Sequence, residues 1–251
     1  MISVSSTLLE TLLILRRNFW FLIIISFVVG TPRIVCDRMI MIGHTHSAAL
    51  SLISLIGLLG MFFFDAVYVA SIIGLLRKPS SEKGAWPIIW NNIKTYTWTL
   101  VRLSFLLVLI ALLAAIPFAL VLGLIKPSKV FASVILGVIF VLMKYALAYL
   151  LVVVEKMGAR EALKRSWEMT GGHLGYVFGC YFLLWLVGSS IEHICGSNAR
   201  DIVDQPAGIF FLKKFVAYLV DSLWVILSWS MYLQIKAADA QPPPEETVST
   251  N

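Results

Sequence analysis

The chain reads as an all-α, polytopic transmembrane helix bundle of about six spans, with amphipathic helices lying along one membrane face. Three observations predict it. Of 251 residues, 59% are apolar and 14% charged, against roughly 25% charged in an ordinary soluble domain. So few ionisable side chains cannot cover a water-facing surface around a core this apolar. The apolar residues fall in continuous runs long enough to cross about 30 Å of hydrocarbon as helix, without the two-residue alternation of a membrane barrel. Between these runs stand short segments in which Trp and Leu share a helical stripe opposite Lys, Arg and Glu.

The six spans are expected at about 19–42, 48–76, 100–125, 130–154, 174–195 and 209–235. Pro32, Arg33, Asp37 and Arg38 interrupt the first, which either kinks there or ends early, with Met39 to Ile42 at the interface. Orientation follows from the basic residues of the short loops. With the N-terminus inside, twelve Lys and Arg fall on the cytoplasmic side, from Arg16 to Lys236, and seven outside, among them Arg33, Arg38, Lys213 and Lys214. Both termini are therefore expected to be cytoplasmic. The first 15 residues carry no Lys or Arg, unlike a secretory signal, so the N-terminus is expected to be retained. The net charge of +6 is accounted for by topology and by anionic lipid headgroups on the cytoplasmic face. No nucleic-acid reading module accompanies it, and no nucleic-acid partner is expected.

Residues 1–236 form a single membrane domain that divides into three repeated units, 1–79, 80–154 and 155–236, each an interfacial helix feeding a pair of spans. The first opens on Thr7-Leu8-Leu9-Glu10, which has the form of a capping box. The second opens near Trp86-Pro87, with Trp86, Trp90, Ile93 and Thr97 on one stripe. The third opens near Gly158; Leu163, Ser166, Trp167 and Thr170 share a face, and Glu161, Lys164, Arg165 and Glu168 take the other, with Glu161–Arg165 and Lys164–Glu168 at i, i+4. The plainer alternative is a six-span bundle with ordinary cytoplasmic loops. Residues 237–251, with Pro242-Pro243-Pro244 and no apolar run, are expected to be a disordered cytoplasmic tail.

The segment Val154-Glu155-Lys156-Met157-Gly158, continuing through Glu161-Ala162-Leu163-Lys164-Arg165-Ser166-Trp167 to Thr170-Gly171-Gly172, resembles a family of bacterial integral membrane proteins. These are the glycerophosphoryl diester phosphodiesterase membrane-domain-like proteins. Their pattern is a Glu and a Gly ahead of Glu-Ala-Leu-x-x-Ser-Trp, then a Thr and small residues opening a span. The match covers Leu151 to Trp185; elsewhere the resemblance is one of layout. It implies a multi-pass protein of the bacterial inner membrane. The phosphodiesterase activity belongs to a soluble domain for which this chain has no room, so it is not expected here.

Four sets of residues carry candidate chemistry. Gly171, Gly175 and Gly179 recur every four residues, a spacing that lets another helix approach closely. Trp167, Lys164 and Arg165 mark the interfacial helix, with Trp167 in the acyl boundary and the two cations toward headgroups. His44, His46, Glu192, His193 and Cys195 are metal-ligating types, but nothing ties their two segments together, and no metal or cofactor is expected. Cys36, Cys180 and Cys195 have no paired spacing. Ser189 and Ser190 lack the elbow and ordered acid of a nucleophile.

The fourth set is charge inside the membrane. Asp65 lies 12 residues before Arg77, and Lys144 lies 11 before Glu155, which at about 1.5 Å per residue puts both near mid-membrane. Asp221 in the sixth span sits about one turn farther out. An isolated charge there costs at least roughly 2.5 kcal/mol, so Asp65 and Lys144 are expected to pair, with Asp221 competing for the lysine. Two function classes follow. The first is a non-catalytic inner-membrane protein that maintains the envelope, scaffolds or assists assembly, with lipids, other membrane proteins or a second copy as partners. The second is a transporter or permease using the Asp/Lys site.

Overall fold

The computed structural model describes residues 2–43, 48–77, 85–125, 138–194 and 206–240. Every regular element among the described residues is a helix: α1 (Val4–Gly43), α2 (Ala48–Arg77), α3 (Ala85–Ile125), α4 (Ala148–Val154), α5 (Ala159–Gly171), α6 (Leu174–Ile194) and α7 (Ala207–Asp239), with a further helical stretch at 138–144 ahead of α4. Four helical stretches are long and apolar enough to cross a membrane: Val4–Ile40, Leu52–Arg77, Trp86–Ala114 and Leu174–Ile191. A shorter apolar stretch, Val138–Val154, ends in α4. The chain is a helical membrane protein. α7 has ample length at 33 residues but carries Lys213, Lys214 and Asp221.

Helix boundaries depart from the expected ones where no glycine offers a break. α1 runs without interruption from Val4 through Pro32 to Gly43, so the first interfacial helix and first span are one rod. Pro32 leaves one backbone acceptor without its usual N–H, a loss that helices within a bundle tolerate. Thr7 is no cap: its hydroxyl donates to the Ser3 carbonyl at 3.0 Å and lies 2.6 Å from the Tyr176 hydroxyl. α3 likewise fuses the second interfacial helix to its span. Only the third unit breaks, at residues 172–173 after Gly171, separating α5 from α6. α7 continues to Asp239, three residues into the expected tail.

α1 and α2 pack antiparallel. The Ser26 and Tyr68 hydroxyls meet at 2.8 Å, and Ser54 donates to the Ile40 carbonyl at 3.0 Å. Gly57 and Gly60 permit the close approach: a Cβ at Gly57 would lie 2.8 Å from the Cys36 carbonyl oxygen, and one at Gly60 2.7 Å from the Cys36 Sγ. α7 runs antiparallel to α1, so that Gln234 donates to the Ser6 hydroxyl at 3.2 Å. The largest core cluster joins α2 to α7 through side chains such as Ala66, Leu100, Leu150, Leu163, Val177 and Met231. Leu22, Ile72 and Ile226 close α1 against α2 and α7. Cys36 and Cys180 are buried free thiols.

Candidate functional site

Four residues of α1 at spacings of four, three and four, Ser26, Gly30, Arg33 and Asp37, form one stripe. Such spacing keeps a single helical face, and this face turns to α2 and α7. The Arg33 guanidinium meets the Asp65 carboxylate of α2 as an ion pair at 2.5 Å, out of line for a hydrogen bond. Through its second arm it donates to Asp221 of α7 at 3.1 Å. The guanidinium carbon lies over the Tyr218 ring, 4.1 Å from its centroid. One cation thus ties three helices, and its side chain is 18% exposed.

The network extends beyond the arginine. Tyr218 donates its hydroxyl to Asp37 at 2.8 Å, and the Lys214 ammonium reaches the same carboxylate oxygen at 2.9 Å. Tyr68 donates to the Tyr218 carbonyl at 2.7 Å while meeting Ser26. Gly30 leaves room beside the ring, since a Cβ there would stand 3.3 Å from Tyr218 Cδ2, a tight contact. Lys214, Tyr218 and Asp221 lie at spacings of four and three on α7, the counterpart of the α1 stripe.

The structure corrects the expected Asp65–Lys144 pair. Asp65 and Asp221 do converge, but on Arg33. Lys144 instead places its ammonium over the Trp167 ring, 4.6 Å from the centroid. The physical reason is that α1 stays helical past Pro32 and carries Arg33 into the bundle, where its two arms engage carboxylates from both neighbours. A lysine has no such fork.

Lys144 belongs to a second feature, the docking of α5. Helix 138–144 stops at a turn, 145–147, before α4 begins. Breaking a helix inside a bundle frees buried backbone groups that must be satisfied by the protein itself. Here α5 supplies them: Ser166 donates to the Lys144 carbonyl at 3.1 Å and accepts from Leu147 N–H at 3.3 Å, and Thr170 donates toward the same carbonyl at 3.0 Å. Both hydroxyl residues are fully buried. Trp167 between them packs on Tyr145 and Phe140 and is 43% exposed.

The polar face of α5 is arranged as its pattern predicts, with Lys164 and Arg165 exposed beside buried Leu163. Its pairs differ from those expected. Glu161 turns back to accept the Gly158 N–H at 3.2 Å, capping the helix, and Arg165 reaches Glu168 at 3.6 Å instead.

The glycine stripe is not one packed seam. A Cβ at Gly175 would meet open space, one at Gly171 would lie 3.8 Å from the Lys144 ammonium, and Gly179 alone approaches another helix, at Val4. The glycines that bring helices together are Gly57, Gly60 and Gly74 on α2. Ser190 donates to the Leu186 carbonyl at 2.7 Å, four residues back. His44, His46 and Cys195, and the side chains of Glu192 and His193, lie outside the described residues; among the described residues no group of three metal-ligating side chains forms.

Arg33 is not among the charges expected inside the membrane, because the sequence leaves open whether the first span continues past Pro32 or ends there. The stripe spacing on α1 and α7 was the available signal. Fold and site together define a helical membrane protein with an ion cluster inside its bundle. No family model, curated protein or solved structure matches the chain.

Proposed function

We propose that this chain is a non-catalytic, multi-pass protein of the bacterial inner membrane, with six spans and both termini cytoplasmic, that scaffolds or assists assembly within the envelope. The observation that carries this reading is the Arg33 clamp. A guanidinium keeps its proton at any physiological pH, and here it is shared by two carboxylates and stacked on an aromatic ring. Such an arrangement locks helix register and offers no proton acceptor that can be emptied and refilled at the arginine. The juxtaposition of the starts of α1 and α6 with the ends of α2, α4 and α7 at one end of the bundle supports placing the termini on one side. The segment that resembles the bacterial membrane-domain family is the one that docks α5, which supports a role in folding for those residues.

Proteoliposomes containing the purified chain test the reading against the permease alternative. Proton and solute flux should not exceed that of empty vesicles. A flux in the wild type that Asp65→Asn or Asp221→Asn stops, with the melting temperature unchanged, would establish transport. A lipidome unchanged on deletion of the gene is expected for a protein that does not modify lipids. Thiol labelling of intact cells checks the topology: cysteines at Ser128 and Asn198 should react with an impermeant reagent, and those at Ser81 and Ser249 should not. These four positions lie outside the described residues.

A further inference from the structure

A cavity of about 760 Å³ opens at the end of the bundle where α2 finishes, α3 begins and the chain leaves α4. Its polar lining comes from Arg77, Lys156, Asn91, Asn92, Thr95 and Tyr96, and no Asp or Glu stands among the described lining residues. The volume is that of an ordinary small-ligand site. Among the described lining residues, two cations face four neutral hydrogen-bonding side chains without a carboxylate. Arg77 donates to the Val153 carbonyl at 3.3 Å, the one hydrogen bond it makes among the described residues.

A further observation points to a ligand. Lys156 has φ 58°, the one positive φ outside glycine among the described residues. It follows the last turn of α4, where the Glu155 N–H bonds to the Leu151 carbonyl at 3.1 Å. Glycine takes that conformation freely, whereas a lysine backbone is strained in it. A lysine there presents a cation at the cavity that glycine cannot supply.

We infer that this cavity binds a phosphate-bearing anion, with Arg77 and Lys156 neutralising the charge and the Asn and Thr side chains fixing its orientation. The same chemistry fits an acidic phospholipid headgroup or a soluble phosphate. The exposed Trp86 and Trp90 on the first turns of α3 put the cavity at the depth where tryptophan meets headgroups. This inference goes beyond the scaffold reading and does not use the Arg33 cluster.

The test uses the full chain in phosphatidylcholine nanodiscs and reads the melting temperature in two arms. One arm adds phosphatidic acid to the disc; the other adds inorganic phosphate to the buffer. In the wild type at least one probe should raise the melting temperature in a saturable manner, and the arm that responds identifies the source. Lys156→Gly and Lys156→Asn both suit a left-handed backbone, so both should fold as well as the wild type without ligand. Each should require about tenfold more of the responding probe, the loss of one charge-assisted contact. Lys94→Gln, on α3 but outside the lining, should respond as the wild type does. No response in either arm, an undiminished response in both Lys156 variants, or an equal loss in Lys94→Gln would overturn the inference.

Discussion

Arg33 of α1 and Asp65 of α2 meet as an ion pair at 2.5 Å, and the same guanidinium holds Asp221 of α7 at 3.1 Å. Removing the arginine takes from Asp65 and Asp221 the guanidinium they share. Arg33→Leu should destabilise the folded protein by about 1–3 kcal/mol, less than the loss for a fully buried pair because the Asp65 and Asp221 side chains are 30% and 42% exposed. Asp65→Asn should cost less, because Asp221 still balances the cation. Exchanging the charges, Arg33→Asp with Asp65→Arg, should recover part of the loss in denaturation experiments in detergent. Failure of any recovery would show that the cluster depends on the fork geometry rather than on charge balance.

The docking of α5 makes a separate prediction. Ser166→Ala and Thr170→Val remove the hydroxyls that satisfy the break at 145–147. Each should lower stability by about 1–3 kcal/mol, the range for a buried backbone group left without its partner. Hydrogen exchange at the Leu147 amide should accelerate more than exchange in α2. Lys144→Met keeps the backbone bonds and should be better tolerated than either.

Glycine substitutions should sort by contact rather than by spacing. Gly57→Ala and Gly60→Ala drive a methyl group into Cys36 and should destabilise by about 1–3 kcal/mol. Gly175→Ala places its methyl in open space inside a helix and should be neutral, or stabilising by up to about 1 kcal/mol. Melting temperatures of the three variants decide the matter.

Acid sensitivity should trace to Glu155 at the end of the bundle. Partial burial pushes its carboxyl up, but hydrogen bonds from Tyr232 and Lys236, with the charges of Lys236 and Arg165, outweigh it and hold the group below its ordinary 4.5. A carboxyl more acidic in the folded chain stabilises the fold above the unfolded value, and that contribution disappears as pH falls through the folded one. The melting temperature of the wild type should fall below about pH 4.5, and Glu155→Gln should remove that component while lowering stability at neutral pH. Lys236 has the opposite sign: its hydrogen bonds to Tyr232 and Glu155 raise it above 10.5, so its contribution is present at neutral pH and lost in strong alkali.

Composition and run length determined the class of this protein, because no arrangement of so few charges can cover such an apolar chain in water. Periodicity determined the two faces of α5, since a helix only 13 residues long at a surface buries whatever its 3.6-residue repeat gathers on one side. Pairing was different. Asp65, Lys144 and Asp221 stood out by their depth along a span, but depth does not say which face of a helix turns toward which neighbour. Only the packed bundle brings Arg33 between Asp65 and Asp221 and leaves Lys144 on Trp167, because α1 continues through Pro32. Likewise, the four-residue spacing of Gly171, Gly175 and Gly179 was visible in the sequence, whereas close approach went to Gly57 and Gly60. A glycine permits contact only where another helix arrives, and that is a property of the tertiary structure rather than of the repeat.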